Sequence, residues 1–157
     1  MNFSKNDTIS VSFSEVLERK ENLQRKFFRD CIKKTNQFSA QFVLDKMFQE
    51  HLRHFEELEN EVGILKDEII SKDLCRTFQS ELYFANLCER YDLSTLTLSE
   101  ATRITIHMEE RDLDFFRGVL DNPLSGDSKK ALRKIISSKT NFIKYLKREQ
   151  ARLLAQE

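Results

Sequence analysis

The sequence predicts an all-α protein, on three observations. Helix breakers are scarce, with Gly 3 and Pro 1 in 157 residues, while charged residues reach 33%; that is the composition of long amphipathic helices. Apolar residues recur at three- and four-residue spacings over long stretches, and no alternating strand pattern of useful length appears. One segment also repeats: Glu21-x5-Phe27-Phe28-Arg29 returns as Glu109-x5-Phe115-Phe116-Arg117, and His54-Phe55 has a counterpart in Asn141-Phe142 at nearly the same offset. A chain of this length buries close to ~70% of its unfolded surface, so one domain with one core is expected without a staple.

Residues 1–11 read as an N-terminal tail. Ser12 or Ser14 can cap a first helix that carries Glu15 in its first turn and runs to about Lys34. Its stripe is Leu17, Glu21, Gln24, Phe28 and Cys31, and Thr35-Asn36-Gln37 ends it. A second helix is expected from about Ser39 to about Ser71. Its stripe is Leu44, Phe48, His51, Phe55, Leu58, Val62, Leu65 and Ile69, with Gly63 as a point of kinking or breakage. Residues 72–95 form a connector with helical character through Leu74, Phe78, Leu82 and Leu87. A third helix starts near Leu98-Ser99-Glu100 and ends near Leu120. The turn at 121–127 holds the only proline and the last glycine. The fourth helix runs from about Ser128 to Leu154 with Leu132, Ile135, Phe142 and Leu146 on one face. The arrangement expected over residues 12–150 is a four-helix bundle of two helical hairpins joined by a long, partly helical crossover. Residues 151–157 then form a helical extension or tail.

Composition narrows the function classes. Formal net charge is zero with no basic block, so no nucleic acid partner is expected. No apolar stretch approaches membrane-spanning length, so no membrane partner is expected either. Met1 to Ser10 lacks the charged and apolar regions of a secretory leader. Cys31, Cys75 and Cys88 are odd in number and show no Cys-x-x-Cys spacing, which excludes a zinc ribbon or rubredoxin-type module from this chain. They read as small buried hydrophobes of a cytoplasmic protein. Neither a phosphate-binding glycine loop nor a Ser/His/Asp arrangement is present.

The residues with chemistry lie on the inner stripes. Glu21 falls between Leu17 and Phe28, so its carboxylate points inward. His51 sits on the apolar stripe of the second helix and His54 one turn further along the same side. Glu109 and Asp112 align with Thr105 and Phe116 on the third. A carboxylate in an apolar bundle must be paired, protonated or metal-bound. Several converging on one layer favour a cation, which removes both the desolvation cost and the mutual repulsion. The blander alternative makes Glu21 and Glu109 boundary positions with solvated tips, the two histidines hydrogen-bonded core residues, and Asp112 one more charge on a charged helix. His107, two residues from Glu109, falls on another face. The Phe27-Phe28 and Phe115-Phe116 pairs and Phe142 read as core.

These helices resemble the ferritin-like superfamily, and within it the rubrerythrin type. That resemblance implies a Glu on the first helix, a Glu-x-x-His on the second, a Glu on the third and a Glu-x-x-His on the fourth. Glu21 and Glu109 match the first- and third-helix ligands, His54 matches the second-helix histidine, and Asp112 stands where some rubrerythrins carry a further carboxylate. His51 occupies the second-helix glutamate position, with Glu50 displaced beside it. On the fourth helix Ser138 and Asn141 stand in place of glutamate and histidine. The intact pattern implies a non-haem di-iron oxidoreductase or iron-handling protein that reduces peroxide or oxidises ferrous iron. It would be served by a separate electron-donor protein and assembled as a homodimer. With the bridging carboxylates missing, the expectation is an eroded di-metal site in place of a full di-iron centre. Glu21, His51, His54, Glu109 and Asp112 then hold at most one Fe, Zn or Mn ion. Alternatively, the Lys139 ammonium enters the carboxylate cluster in place of a metal. A structural or interaction role fits those residues best. Histidine phosphotransfer on a helical bundle fits poorly, because the second-helix histidines face the core.

Overall fold

The computed structural model describes residues 11–78 and 82–156. It is all-α apart from one short bridge. The long helices are α1 (Phe13–Lys34), α2 (Phe38–Glu57), α6 (Leu98–Val119) and α7 (Gly126–Gln156), with shorter helices α3 (Glu59–Leu65), α4 (Lys72–Phe78) and α5 (Leu82–Arg90) between them. Strand β1 (Val11–Ser12) pairs antiparallel with β2 (Ile69–Ile70), Val11 opposite Ile70.

Local chemistry sets the helix ends. Ser12 caps α1, its hydroxyl accepting from the Glu15 amide at 3.3 Å. Helix α6 opens with a capping box: Thr97 accepts from the Glu100 amide, and the Glu100 carboxylate accepts from the Thr97 amide. That reciprocal pair satisfies two amides that otherwise lack a partner in the first turn. At the start of α7, the Ser125 hydroxyl accepts from the Ser128 amide.

Two expectations need correction. The second helix does not run unbroken to Ser71: it turns at Leu58, and Gly63 lies inside α3 without breaking it. The turn lets α3 lie against α7, where Leu65 is buried and Glu61 meets Lys134 at 2.8 Å. The end of that predicted helix, Ile69–Ile70, is instead the strand that clips the start of α1. The predicted tail at 1–11 lies outside the described residues except for Val11, and helix α7 continues through Gln156.

The buried apolar residues form two clusters, and every long helix threads both. Phe13, Val16 and Leu17 of α1, Leu58, Phe115, Phe116 and Val119 of α6, and Leu132 and Ile135 of α7 make one. Phe27, Phe28 and Cys31 of α1, Leu44 and Phe48 of α2, Ala101 and Ile104 of α6, and Leu146 of α7 belong to the other. Reading the order of clusters along each helix gives its direction. Helix α1 runs from the first cluster to the second and α2 returns; α6 runs the same way as α2, and α7 comes back. Two hairpins follow, and since α2 and α6 are parallel the chain between them must recross the whole length. The connector does so, burying Ile70, Cys75 and Phe78 in the first cluster and Leu87, Leu93 and Leu96 in the second. Between the clusters lies a layer of charge.

Candidate functional site

Each long helix delivers side chains to that middle layer at the point where its apolar stripe is interrupted. Helix α1 supplies Lys20 and Glu21, α2 supplies His51, α6 supplies Glu109 and Asp112, and α7 supplies Lys139. All six are at most 4% exposed. Their partners form a closed circuit. Lys20 Nζ donates to Glu21 Oε1 at 3.2 Å and to Asp112 Oδ1 at 2.6 Å. His51 donates from Nε2 to Glu21 Oε2 at 3.0 Å and from Nδ1 to Glu109 Oε1 at 2.5 Å. Lys139 Nζ closes the ring on Glu109 Oε2 at 2.6 Å and Asp112 Oδ2 at 3.1 Å. Each oxygen of the three carboxylates thus receives one hydrogen bond from a lysine or His51.

The electrostatics of the ring follow from burial set against proximity. Burial acts most strongly on His51 and favours the neutral ring, but the Glu109 and Glu21 carboxylates outweigh it and raise its pKa from 6.5 to about 9. An imidazole between two carboxylates donates from both nitrogens, so His51 is an imidazolium at neutral pH. For Lys20, burial is again the largest influence and is again outweighed, here by Asp112 and then Glu21, so its pKa rises. Lys139 rises likewise through Glu109 and Asp112. Burial would lift the carboxyls, yet Lys20 and His51 hold Glu21 well below the usual range, and Lys139 and His51 do the same for Glu109. The six groups form an alternating ring of three anions and three cations, with no net charge. Aromatic faces close over it: Lys20 Nζ lies 5.4 Å from the Phe115 centroid and 5.8 Å from that of Phe116.

Glu21, His51, Glu109 and Asp112, four of the five residues expected as ligands, meet here. The fifth, His54, stands at the edge. Its Nε2 pairs with Ser138 Oγ at 2.9 Å, its ring stacks on Phe142 at 4.7 Å, and its Nδ1 has no hydrogen-bond partner among the described residues. Burial, and after it the Lys139 charge, lower its pKa to about 4, so it is neutral where His51 is charged. On the fourth helix Asn141 is exposed, and Lys139 takes the inward position. The register that aligns Asn141 with His54 is therefore not the one that faces the core. A better register is marked by spacing: Glu21 and His51 are 30 residues apart, and so are Glu109 and Lys139. Lys20 was not among the residues the sequence singled out. Its signal was its place four residues from both Val16 and Gln24, which are buried.

Glu21, His51 and Asp112 each offer one ligand atom within 4.8 Å of the others, so this group could hold one metal ion. The donor set does not fit a two-metal centre. A metal ligand must present a free lone pair, so one ion on Glu21, His51 and Asp112 requires His51 to give up a proton and Lys20 to move aside, whereas two ions would require most of the ring's proton donors to leave. Beside Lys20 and Asp112 there is a cavity of about 10 Å³, which is room for about one water. Comparison with known protein families, with curated proteins and with solved structures finds no match for this chain.

Proposed function

We propose that this chain is a ferritin-like four-helix bundle of the rubrerythrin type whose di-metal centre has eroded into a ring of ion pairs. It holds at most one metal ion and acts as a structural or interaction protein. The observation that carries this reading is the saturation of all six oxygens of Glu21, Glu109 and Asp112 by Lys20, His51 and Lys139. Redox or hydrolytic metal chemistry needs an open coordination position and a route for substrate. The ring offers two fixed ammonium groups in the place of metals, and it lies between two apolar clusters. Lysine is suited to this: it is a compact charge on a flexible stem, able to reach a buried anion from a neighbouring helix.

The test is metal content per chain, measured by inductively coupled plasma mass spectrometry on untagged protein. The sample is reconstituted anaerobically with ferrous iron and dialysed. No more than one metal per chain is expected, with the fold unchanged by a chelator. Two irons per chain together with peroxide turnover would overturn the proposal and restore the di-iron oxidoreductase or iron-handling reading.

A further inference from the structure

The outward face of α2 carries Phe38, Phe42, Asp45, Lys46, Gln49 and Arg53, all exposed and spaced by threes and fours on either side of the adjacent pair Asp45 and Lys46. At 1.5 Å per residue the stripe is about 22 Å long. Phe38 is 81% exposed and Phe42 63%, the two largest values among the exposed large hydrophobics. Single exposed apolar residues are ordinary, but two aromatic rings one turn apart are a patch. Phe42 and Lys46 wall two adjoining hollows of about 300 and 360 Å³, and Phe38 lines the first of them. The first hollow continues onto Met47, Leu98 and Leu153, so its floor is apolar. Among the described residues, none of Asp45, Lys46 and Arg53 enters a salt bridge within the chain. The stripe is thus aromatic in its first half and charged in its second.

We propose that a second copy of this chain docks on this face, the two α2 helices antiparallel about a two-fold axis passing between Asp45 and Lys46. This identifies the partner for the interaction role above and rests on that reading. The argument is charge complementarity. An antiparallel pair centred there sets Asp45 against Lys46 of the second copy, and the symmetry repeats the pair. It also lays Phe38 against Arg53 of the second copy, a cation over an aromatic face, and Phe42 against Gln49. Each half of the stripe therefore meets the half it complements, which is the condition for an isologous contact. The Phe38 and Phe42 rings of both copies supply the apolar part of the interface, burying the surface they still expose in the single chain.

The test is sedimentation equilibrium on the full chain and on four variants, with circular dichroism to confirm the fold. Wild type is expected to dimerise, and Phe42→Glu to be monomeric. Asp45→Lys alone and Lys46→Asp alone each place like charges across the axis, which should weaken the dimer at least roughly tenfold. The double variant Asp45→Lys/Lys46→Asp re-forms the pair with signs exchanged and should recover most of that loss. A monomeric wild type at the highest soluble concentration overturns the proposal. So does a dimer indifferent to Phe42→Glu, or a double variant no tighter than the singles. Metal content of the same samples separates the two readings. A dimer carrying two irons refutes the eroded centre and leaves the interface standing, and a metal-free monomer does the reverse.

Discussion

Lys139→Met is the substitution that tests the ring most directly. Its ammonium is the sole lysine partner of Glu109 Oε2 and of Asp112 Oδ2, and its side chain is 2% exposed. Methionine keeps the length and apolar character of the stem, so packing changes little while the charge disappears. The ring is then left with three carboxylates and two cations in a layer bounded by apolar clusters. Removing one partner of a buried ion pair costs about 3–5 kcal/mol, because the remaining charge is uncompensated. That is a large share of the roughly 5–15 kcal/mol by which domains are stable. At roughly 2–4 °C per kcal/mol for a chain of this size, the thermal midpoint should fall by about 6–20 °C. The deficit should shrink in mild acid as the orphaned carboxyls take up protons. Lys134→Met is the control: Lys134 pairs with Glu61 at 2.8 Å, but its side chain is 74% exposed, and exposed pairs contribute about 0–1 kcal/mol. Calorimetry and urea unfolding read both. If Lys139→Met is no more destabilised than Lys134→Met, the ammonium is not compensating buried carboxylates, and the alternating ring is wrong.

The pH dependence of stability should peak near 6.5. His51, raised from 6.5 to about 9, contributes on the order of 3 kcal/mol that is fully present below 6.5 and is lost as pH climbs to about 9. His54, lowered from 6.5 to about 4, contributes stability that is present above 6.5 and is lost as pH falls to about 4. Urea midpoints across that range check both limbs, and a flat alkaline limb would contradict a charged His51. Lys139→Glu exchanges the ring's cation for an anion, and added divalent metal should stabilise it by about 2.7 kcal/mol at a hundred times the dissociation constant, raising its thermal midpoint. A midpoint indifferent to zinc, manganese and ferrous iron would show that the pocket cannot accept an ion even when emptied of its ammonium. Alkylation followed by mass spectrometry should label Cys88 first and Cys31 last, because burial pushes the Cys31 thiol up to about 12 while Cys88 is half-exposed. Gly63→Ala should stabilise by roughly 0.5–1 kcal/mol, since a helical glycine is entropically costly and no atom lies within 4 Å of the added carbon; chemical denaturation measures it.

The four long helices were legible because their apolar spacing persists over many turns, and Ser12 and the 121–127 turn mark two of their ends. The break at Leu58 was not, because nothing local announces it: Leu58 is a good helix former, and the turn is fixed by the packing of α3 on α7. Gly63 drew attention as the nearest breaker, yet one glycine in a helix is a small penalty that packing overrides. The β1–β2 bridge spans two residues on each side, too short for alternation to be visible. Within the site, the inward carboxylates and His51 could be read because they interrupt apolar stripes. Lys20 interrupts one as well, but a lysine is ordinarily assigned to the surface, and only the anions across from it explain its burial. On α7 the Phe55–Phe142 likeness suggested a register that puts Asn141 inward. The helix is instead set by Leu132, Ile135 and Leu146, whose spacing turns Lys139 into the core.

The two hairpins answer the same physical problem with different cations. In the first, Glu21 faces an imidazolium from the returning helix; in the second, Glu109 faces an ammonium from the corresponding place. Lys20 and Asp112 then join the halves, one from each. Such a centre differs from a metal centre in what its stability depends on. A bound metal stabilises by mass action, so the folded fraction follows the free ion concentration and falls when a chelator competes. Tethered ammonium groups are present at the site whenever the chain folds, and they are indifferent to metal supply. They also provide neither a Lewis acid nor an exchangeable coordination position. Lysines in such a layer therefore keep the helices joined across it without supplying the chemistry that a metal there would perform. A buried ring of this kind adds little net stability over an apolar layer of equal volume. What it adds is a set of six mutually satisfied groups drawn from all four long helices, so that sliding any one helix by a turn would leave charges without their partners.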